Sequence, residues 1–408
     1  MTIAGKVMII AGEASGDLHG ANLIKALKKK APALEYFGIG GHRLKGAGVS
    51  ILINSDELSV VGITEVFAKL PKIYQAITII KRSLRKIRPD LLILIDFPEF
   101  NLHLAASAKR LSIPVLFYIS PQIWAWRSGR VKKIKHRVDH MAVILPFEEP
   151  FYQQHNIPVS FVGHPLMDEL TDEDLLQIFQ PYSNLNSEQK IISLFPGSRT
   201  KEVSLHLPIM IQSAILLREK LPNLRFIISC APSIKATQLE RILSAYRQKD
   251  FFEIVNEDAP TIFKKSQLAL AKSGTVTLEA AIYATPCIII YKVSPLSYHL
   301  GRYLIRVKYI GLANLISDRE IFPELIQTKA SPKLIAETAE HMLTETHGFE
   351  NLQAELLEIR KKLGKPGASD RVAELALDLM NGKSSGRFPA IEPVTQDLKS
   401  VTTVFDHD

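Results

Sequence analysis

The sequence predicts two α/β domains, each built on a parallel sheet, and three observations predict it. Residues 267–291, QLALAKSGTVTLEAAIYATPCIIIY, read as strand, tight turn, helix and strand. Residues 191–199, IISLFPGSR, read as another strand that breaks at a Pro-Gly turn before a further helical stretch. The N-terminal half repeats short apolar runs, Val7 to Ala11, Leu91 to Ile95 and Val115 to Ile119, with loops and helical patterns between them. Strands alternating with helices pair in parallel, and such sheets keep their ligands at the carboxyl edge.

With 408 residues the chain can bury two such cores. Hydrophobic residues at 46% and charged residues at 23% are those of an ordinary globular protein. Cys230 and Cys287 lie in or beside apolar runs and read as buried thiols in a reducing compartment. No cleavable signal is expected, because Val7 to Ala11 is short and leads into Gly-Glu instead of a small-residue cleavage site. No apolar run reaches the ~18 residues of a membrane-spanning helix. The expected location is the cytoplasm or a membrane surface. A formal net charge of +8 favours an anionic partner, whether nucleic acid, phosphorylated substrate or acidic lipid.

The first strand leads into GEASGDLHG, Gly12 to Gly20, read as a loop before a helix from Ala21 to Lys30. Glu13, Ser15, Asp17 and His19 would surround that helix start. Two carboxylates argue against phosphate there and for a loop that meets a sugar hydroxyl or closes on another domain; His19 reads as a surface residue. After a strand at Glu35 to Ile39, GIGGHRLKGAG has loop character but lacks the spacing of a dinucleotide fingerprint, which argues against NAD. From Ile73 to Arg88 the pattern is an amphipathic helix. Val66 to Tyr74, interrupted by Pro71 and flanked by lysines, reads either as part of a crossover helix or as a surface that dips into anionic lipid through Val66, Phe67, Leu70 and Ile73. Leu91 to Ile95 ends in Asp96-Phe97-Pro98-Glu99. Asp96 at a strand's carboxyl end is either a ligand-facing acid or a cap for the next helix.

Both tryptophans lie in SPQIWAWR, after the strand Val115 to Ile119, and a basic run follows. Aromatics beside basic residues can hold nucleic acid. Here the basic residues run helically between Val131, Ile134 and Val138, the pattern of a solvated helix face, so no nucleic-acid partner is expected. Strands at Ala142 to Leu145 and Val159 to Val162, with Gly163-His164-Pro165, close the N-terminal half. A domain over 1–170, a polar linker over 171–188 and a second domain over 189–363 follow from this pattern. Asp172-Glu173-Asp174 in the linker read as helix-start acids, not as a metal site. Residues 382–408 read as a disordered tail.

In the second half the turn at Ser273-Gly274-Thr275 carries the chemistry. The first N–H groups of a helix lack intrahelical partners and its dipole is positive there, so phosphate is the natural guest. Gly274 permits close approach, and Ser273 and Thr275 can cap the helix or donate to phosphate. Glu279 can accept two bonds from a ribose diol, or it can serve in a capping box. Gly197, Ser198 and Arg199, with Glu202 just beyond, form a second phosphate-facing loop. Two such loops with βα units between them suggest one nucleotide at the carboxyl edge of one sheet.

The motifs GEASGDLHG, VVGITEV, IDFPEFN, SPQIWAWR, LPFE, FVGHP with Asp168, LFPGSR with Glu202, AKSGTVTLE, and LANLI with PELIQ occur in that order. Together they resemble the lipid-A-disaccharide synthases, inverting glycosyltransferases of the GT-B architecture, from about Val7 to about Met380. Glu99 departs from the Asp usual in that family. The resemblance implies two Rossmann-like domains facing across a cleft, the region of about 364–381 rejoining the first. It implies transfer of 2,3-diacylglucosamine from UDP to 2,3-diacylglucosamine 1-phosphate, giving a β-1,6 disaccharide and UDP. It further implies UDP-sugar as substrate with no cofactor or metal, a peripheral place on the inner membrane, and Asn314 of LANLI among the nucleotide contacts. Asp96 is then the expected base, with Glu99 and Glu13 as alternates, and Arg199 and the Ser273 to Thr275 turn take the charge of the leaving diphosphate. A UDP-sugar epimerase of the same fold and a basic RNA-binding module are the competing classes.

Overall fold

The structure, a computed structural model, describes residues 4–58, 63–125, 128–171, 174, 190–295, 298 and 307–382, with 63–70, 128, 346–350 and 353 as backbone only. The described chain forms two compact units. The first runs to Glu169 and resumes at Leu363; the second runs from Leu170 to Lys362.

The first unit holds seven parallel strands: β1 (Gly5–Ala11), β2 (Leu34–Gly40), β3 (Ser50–Asn54), β4 (Leu91–Ile95), β5 (Val115–Tyr118), β6 (His140–Val143) and β7 (Val159–Phe161), in the spatial order β3-β2-β1-β4-β5-β6-β7. All five residues of β4, LLILI, are buried, as expected of a central parallel strand covered on both faces. Helix α1 (Ala14–Lys30) begins directly after β1 instead of at Ala21. The glycines that gave this stretch its loop character are packing glycines: a Cβ on Gly16 would lie 3.4 Å from Ala11, and one on Gly20 3.2 Å from Ile95. Helix α2 (His42–Gly46) is a single turn inside the Gly-rich stretch read as loop. Its start is held by buried Asp17, which accepts from the N–H groups of Gly41, Arg43 and Leu44 at 2.6, 3.0 and 3.2 Å. Asp17 is therefore a scaffold residue.

Helix α3 (Ile63–Ile87) runs continuously through Pro71, and Arg88 before Pro89 closes it in a left-handed conformation. Ile73, expected on a lipid-facing surface, is half-buried and packs on the core of this unit, whereas Tyr74 is 74% exposed. The side chains of Val66, Phe67 and Leu70 lie outside the described residues. Helices α4 (Pro98–Arg110), α5 (Val131–Arg137) and α6 (Glu148–Gln154) complete the N-terminal segment. Val131, Ile134 and Val138 are buried while Lys132, Lys133, Lys135 and His136 are exposed, so the basic run is the solvated face of a short helix. The C-terminal helix, Ala368–Met380, packs on α1 and on β4 and β5. Asp168 accepts at its N-terminus from Gly367, Ala368 and Ser369, at 2.6 to 3.2 Å.

The second unit holds six parallel strands: β8 (Lys190–Phe195), β9 (Leu224–Ser229), β10 (Phe252–Val255), β11 (Leu268–Lys272), β12 (Cys287–Tyr291) and β13 (Glu324–Ile326), in the order β10-β9-β8-β11-β12-β13. Its helices are α7 (Thr200–Lys220), α8 (Ala236–Leu243), α9 (Ala259–Lys265), α10 (Thr275–Ile282), α11 (Leu312–Ser317), α12 (Pro332–Thr344) and α13 (Thr346–Lys362). Cys230 and Cys287 are buried free thiols.

Both sheets change direction once. In the first, the chain steps outward from β1 to β2 and β3, then from β4 the other way; in the second, β8 and β11 are the corresponding pair. Such a reversal splays the two flanking loops apart and opens a crevice outside the carboxyl ends of the central strands. No helix among the described residues is long and apolar enough to cross a membrane.

Candidate active site

In the first unit the crevice between β1 and β4 is bordered by Gly12-Glu13 on one side and Asp96-Phe97 on the other. Asp96 and Phe97 both carry positive φ, +45° and +49°. Non-glycine residues hold that conformation only when their surroundings impose it, and such strain concentrates at functional sites. Here the surroundings are named. Asn101, fully buried on α4, donates its amide to the carbonyl oxygens of Ile95 at 3.1 Å and of Asp96 at 2.6 Å. The Phe97 ring lies against Gly12, where a Cβ would come within 2.5 Å of it. Burial, then the charge of Glu13, push the Asp96 carboxyl up to about 6, while the Phe97 N–H pulls it down. A half-buried carboxylate with that affinity for a proton is suited to general-base work near neutral pH.

Glu99 is different. It is 63% exposed in the first turn of α4 and forms an ion pair with Arg130. The structure thus brings Glu13 and Asp96 close enough for their charges to interact and pairs Glu99 with Arg130. His19, expected at the surface, is half-buried with its Nδ1 enclosed, and burial drives its pKa down to about 4. It lies close enough to His164 and Asp168 for their charges to interact.

In the second unit the loops after β8 and β11 flank the corresponding crevice. Gly197 has φ +119°, and a Cβ there would meet the Glu202 carboxylate at 2.6 Å. Glycine is required for both reasons. Glu202, in the first turn of α7, accepts from the Ser198 N–H at 3.2 Å and pairs with Lys272 Nζ at 3.1 Å and Arg199 Nη1 at 3.6 Å. It holds Arg199 of this loop and Lys272 at the end of β11 on one carboxylate. His206, buried one turn on, donates from Nδ1 to the Glu202 carbonyl at 2.8 Å and accepts the Lys292 N–H at Nε2, so it is neutral.

The start of α10 carries no side-chain cap, and its N-cap is Gly274. Ser273 and Thr275 therefore do not cap it; the Ser273 hydroxyl donates to the Ile310 carbonyl at 3.0 Å. Position N3 is Thr277, so Glu279 stands beyond the place that a capping box requires. The Thr277 N–H bonds back to the Gly274 carbonyl at 3.1 Å, and those of Thr275 and Val276 before it are placed to meet an anion.

Asn314 stands in the first turn of α11. It is fully buried, donates to Phe322 O at 2.8 Å and Glu324 Oε1 at 2.9 Å, and accepts from the N–H groups of Ile321 and Phe322. Both donors and both acceptor positions of its side-chain amide are thus engaged. Its partner Glu324 accepts from the N–H groups of Ile310 and Gly311, and Ile310 in turn receives Ser273. A chain of hydrogen bonds thus links Asn314 to the turn at Ser273. Lys272, which the sequence reading passed over, had one signal: a cation at a strand end, directly before the turn.

A family profile described as lipid-A-disaccharide synthetase matches residues 7–377. The lipid-A-disaccharide synthase of Geobacter metallireducens is 42% identical over 387 residues, covering 93% of this chain and 98% of the relative. That of Coxiella burnetii is 41% identical over 374 residues, covering 92% and 98%. Among solved structures, a putative UDP-N-acetylglucosamine 2-epimerase from Listeria monocytogenes superposes with a TM-score of 0.61 at 13% identity, over 95% of this chain and 100% of that one. A calicheamicin glycosyltransferase gives 0.59 at 13% identity, over 93% and 98%. At such identities the likeness speaks to fold, the GT-B arrangement of two parallel-sheet domains.

Proposed function

We propose, from the premise that the chain belongs to the lipid-A-disaccharide synthase family, a reaction and a set of residue roles for its two crevices. The enzyme is a glycosyltransferase that forms the lipid A disaccharide. The proposed donor is UDP-2,3-diacylglucosamine and the acceptor 2,3-diacylglucosamine 1-phosphate. The 6-hydroxyl oxygen of the acceptor attacks the anomeric carbon of the donor while Asp96 takes its proton. The bond from that carbon to the diphosphate breaks, its electron pair leaves on UDP, and the linkage formed is β-1,6 with inversion. Arg199 and the open start of α10 stabilise the departing charge, so the step is proposed to run without metal. Ser198 and Gly197 let the loop approach the phosphates, and Glu279 receives the ribose diol.

One observation supports this reading above the rest: the strained, clamped Asp96 and the uncapped α10 each border the switch point of its own sheet. The epimerase alternative shares the fold but rests on 13% identity, against 42% for the synthases. The proposed site of action is the cytoplasmic face of the inner membrane, with the protein held peripherally by the lysine-flanked stretch around Phe67 and Leu70. Mixing the protein with both substrates and looking for a disaccharide and released UDP tests the proposal. Interconversion of UDP-sugars without an acceptor would point to an epimerase.

A further inference from the structure

Lys272 is the last residue of β11, at the switch point of the second sheet. Its Nζ stands 3.1 Å from Glu202 Oε1 and 5.9 Å from the centroid of the Tyr291 ring, with a fifth of the side chain exposed. It also lies about 4.0 Å from where a Cβ on Gly274 would be, beside the uncapped start of α10. Lys272 and Arg199 share one carboxylate, so the group carries an excess positive charge, and the dipoles of α7 and α10 add to it. His206, being neutral, adds none.

The plain alternative is a structural ion pair between β11 and α7. Two features argue for more. Glu202 is fixed without Lys272: the Ser198 N–H holds its carboxylate, His206 its carbonyl, and a left-handed Gly197 makes room for it. Replacing such an ion pair as a whole by packed apolar residues is also often neutral, so stability alone does not call for a charged pair here. A lysine kept there, on a flexible four-carbon stem beside an open helix start, is placed to turn towards an arriving anion.

We infer that Lys272 is a catalytic residue for the departing diphosphate, parked on Glu202 in the free enzyme and donating to a phosphate oxygen when UDP-sugar is bound. Glu202 is then a positioning residue that stores Lys272 and Arg199 together. Lys272 transfers no proton. Its ammonium stabilises the electron pair that moves to the β-phosphate oxygen as the bond to the sugar breaks. This inference rests on reading the crevice as the diphosphate site.

The test uses the full chain with UDP and uridine as probes. In Lys272→Met, UDP affinity should fall about tenfold, the scale of a lost hydrogen bond to a charged group, while uridine binding, measured by competition, is unchanged. With saturating donor, kcat should fall about tenfold or more. Lys272→Arg should recover most of both. Lys272→Gln, compared by thermal melting, covers the case in which the Met variant does not fold. UDP binding equal to wild type in Lys272→Met, or equal losses for UDP and uridine, overturns the inference and leaves a structural ion pair. Failure of the wild-type protein to bind UDP would instead overturn the diphosphate site itself.

Discussion

Asn101 clamps Asp96: its buried amide donates at 2.6 Å to the carbonyl oxygen of the residue proposed as base. The same amide reaches Ile95 O, and the two bonds hold the chain where Asp96 and Phe97 leave the strand with positive φ. Asn101→Ala would strand two acceptors in the interior. Stability should fall by about 1–3 kcal/mol, the cost of buried unsatisfied groups. Turnover should fall as well, because the Asp96 carboxylate loses its fixed direction. Thermal melts and steady-state rates check this, and a variant with wild-type turnover would free Asp96 from any need of the clamp.

Asp96→Asn is nearly isosteric and should lose roughly 10²-fold or more in turnover, the scale of general-base removal. UDP affinity should be nearly unchanged. Glu99→Gln should lose much less, since Glu99 is exposed and engaged with Arg130. Near-wild-type rates for Asp96→Asn with saturating substrates would transfer the role to Glu13 or Glu99.

The pH profile carries a sign that can be worked out. The base acts when ionised, so kcat/KM should rise with pH through about 6, the value to which burial and Glu13 push Asp96. Glu13→Gln should move that midpoint down. For stability the direction reverses. The folded pKa lies above the ordinary 3.8, so the contribution of Asp96 is fully present below that value and is lost as pH rises through about 6. At pH 7 Asp96→Asn should therefore stabilise the fold, by of order 1 kcal/mol once partial exposure is discounted. A melting temperature lowered at pH 7 and an unshifted profile in Glu13→Gln would both contradict this account.

Glu279→Gln keeps the shape of the side chain and weakens it as an acceptor for ribose hydroxyls. If it receives the ribose diol, its loss should register in UDP affinity, by about 1–3 kcal/mol. Calorimetry with UDP reads this directly. Unchanged affinity would leave Glu279 with no part in the nucleotide site.

For the membrane, replacing both Phe67 and Leu70 by Ser should release the protein from anionic vesicles while the fold persists. High salt should weaken the wild-type interaction too, because the lysine contribution is screened beyond about one Debye length. Ile73 is left out of the pair because it packs on the core. Unfolding of the double variant would assign these side chains to the interior.

Local chemistry made much of this protein legible from its residues. Apolar runs of strand length, glycine turns and helix starts are short-range signals, so the two parallel-sheet domains, the loops at Gly197 and Gly274 and the strand-end acid Asp96 could all be read along the chain. The start of α1 could not, because a glycine that packs a helix against a sheet looks, in sequence, like a glycine that breaks one; only contact between Gly20 and Ile95 distinguishes them. The same limit hid the partners of the charged groups. Glu202 meets Lys272 because β8 and β11 are neighbours in the sheet, Glu99 meets Arg130 across α4 and the stretch before α5, and Asn314 is consumed by Phe322 and Glu324. A side chain's own type says whether it can bind phosphate or accept a proton. Whether it is free to do so depends on strand order and long-range packing, which fix its partners and its exposure to water.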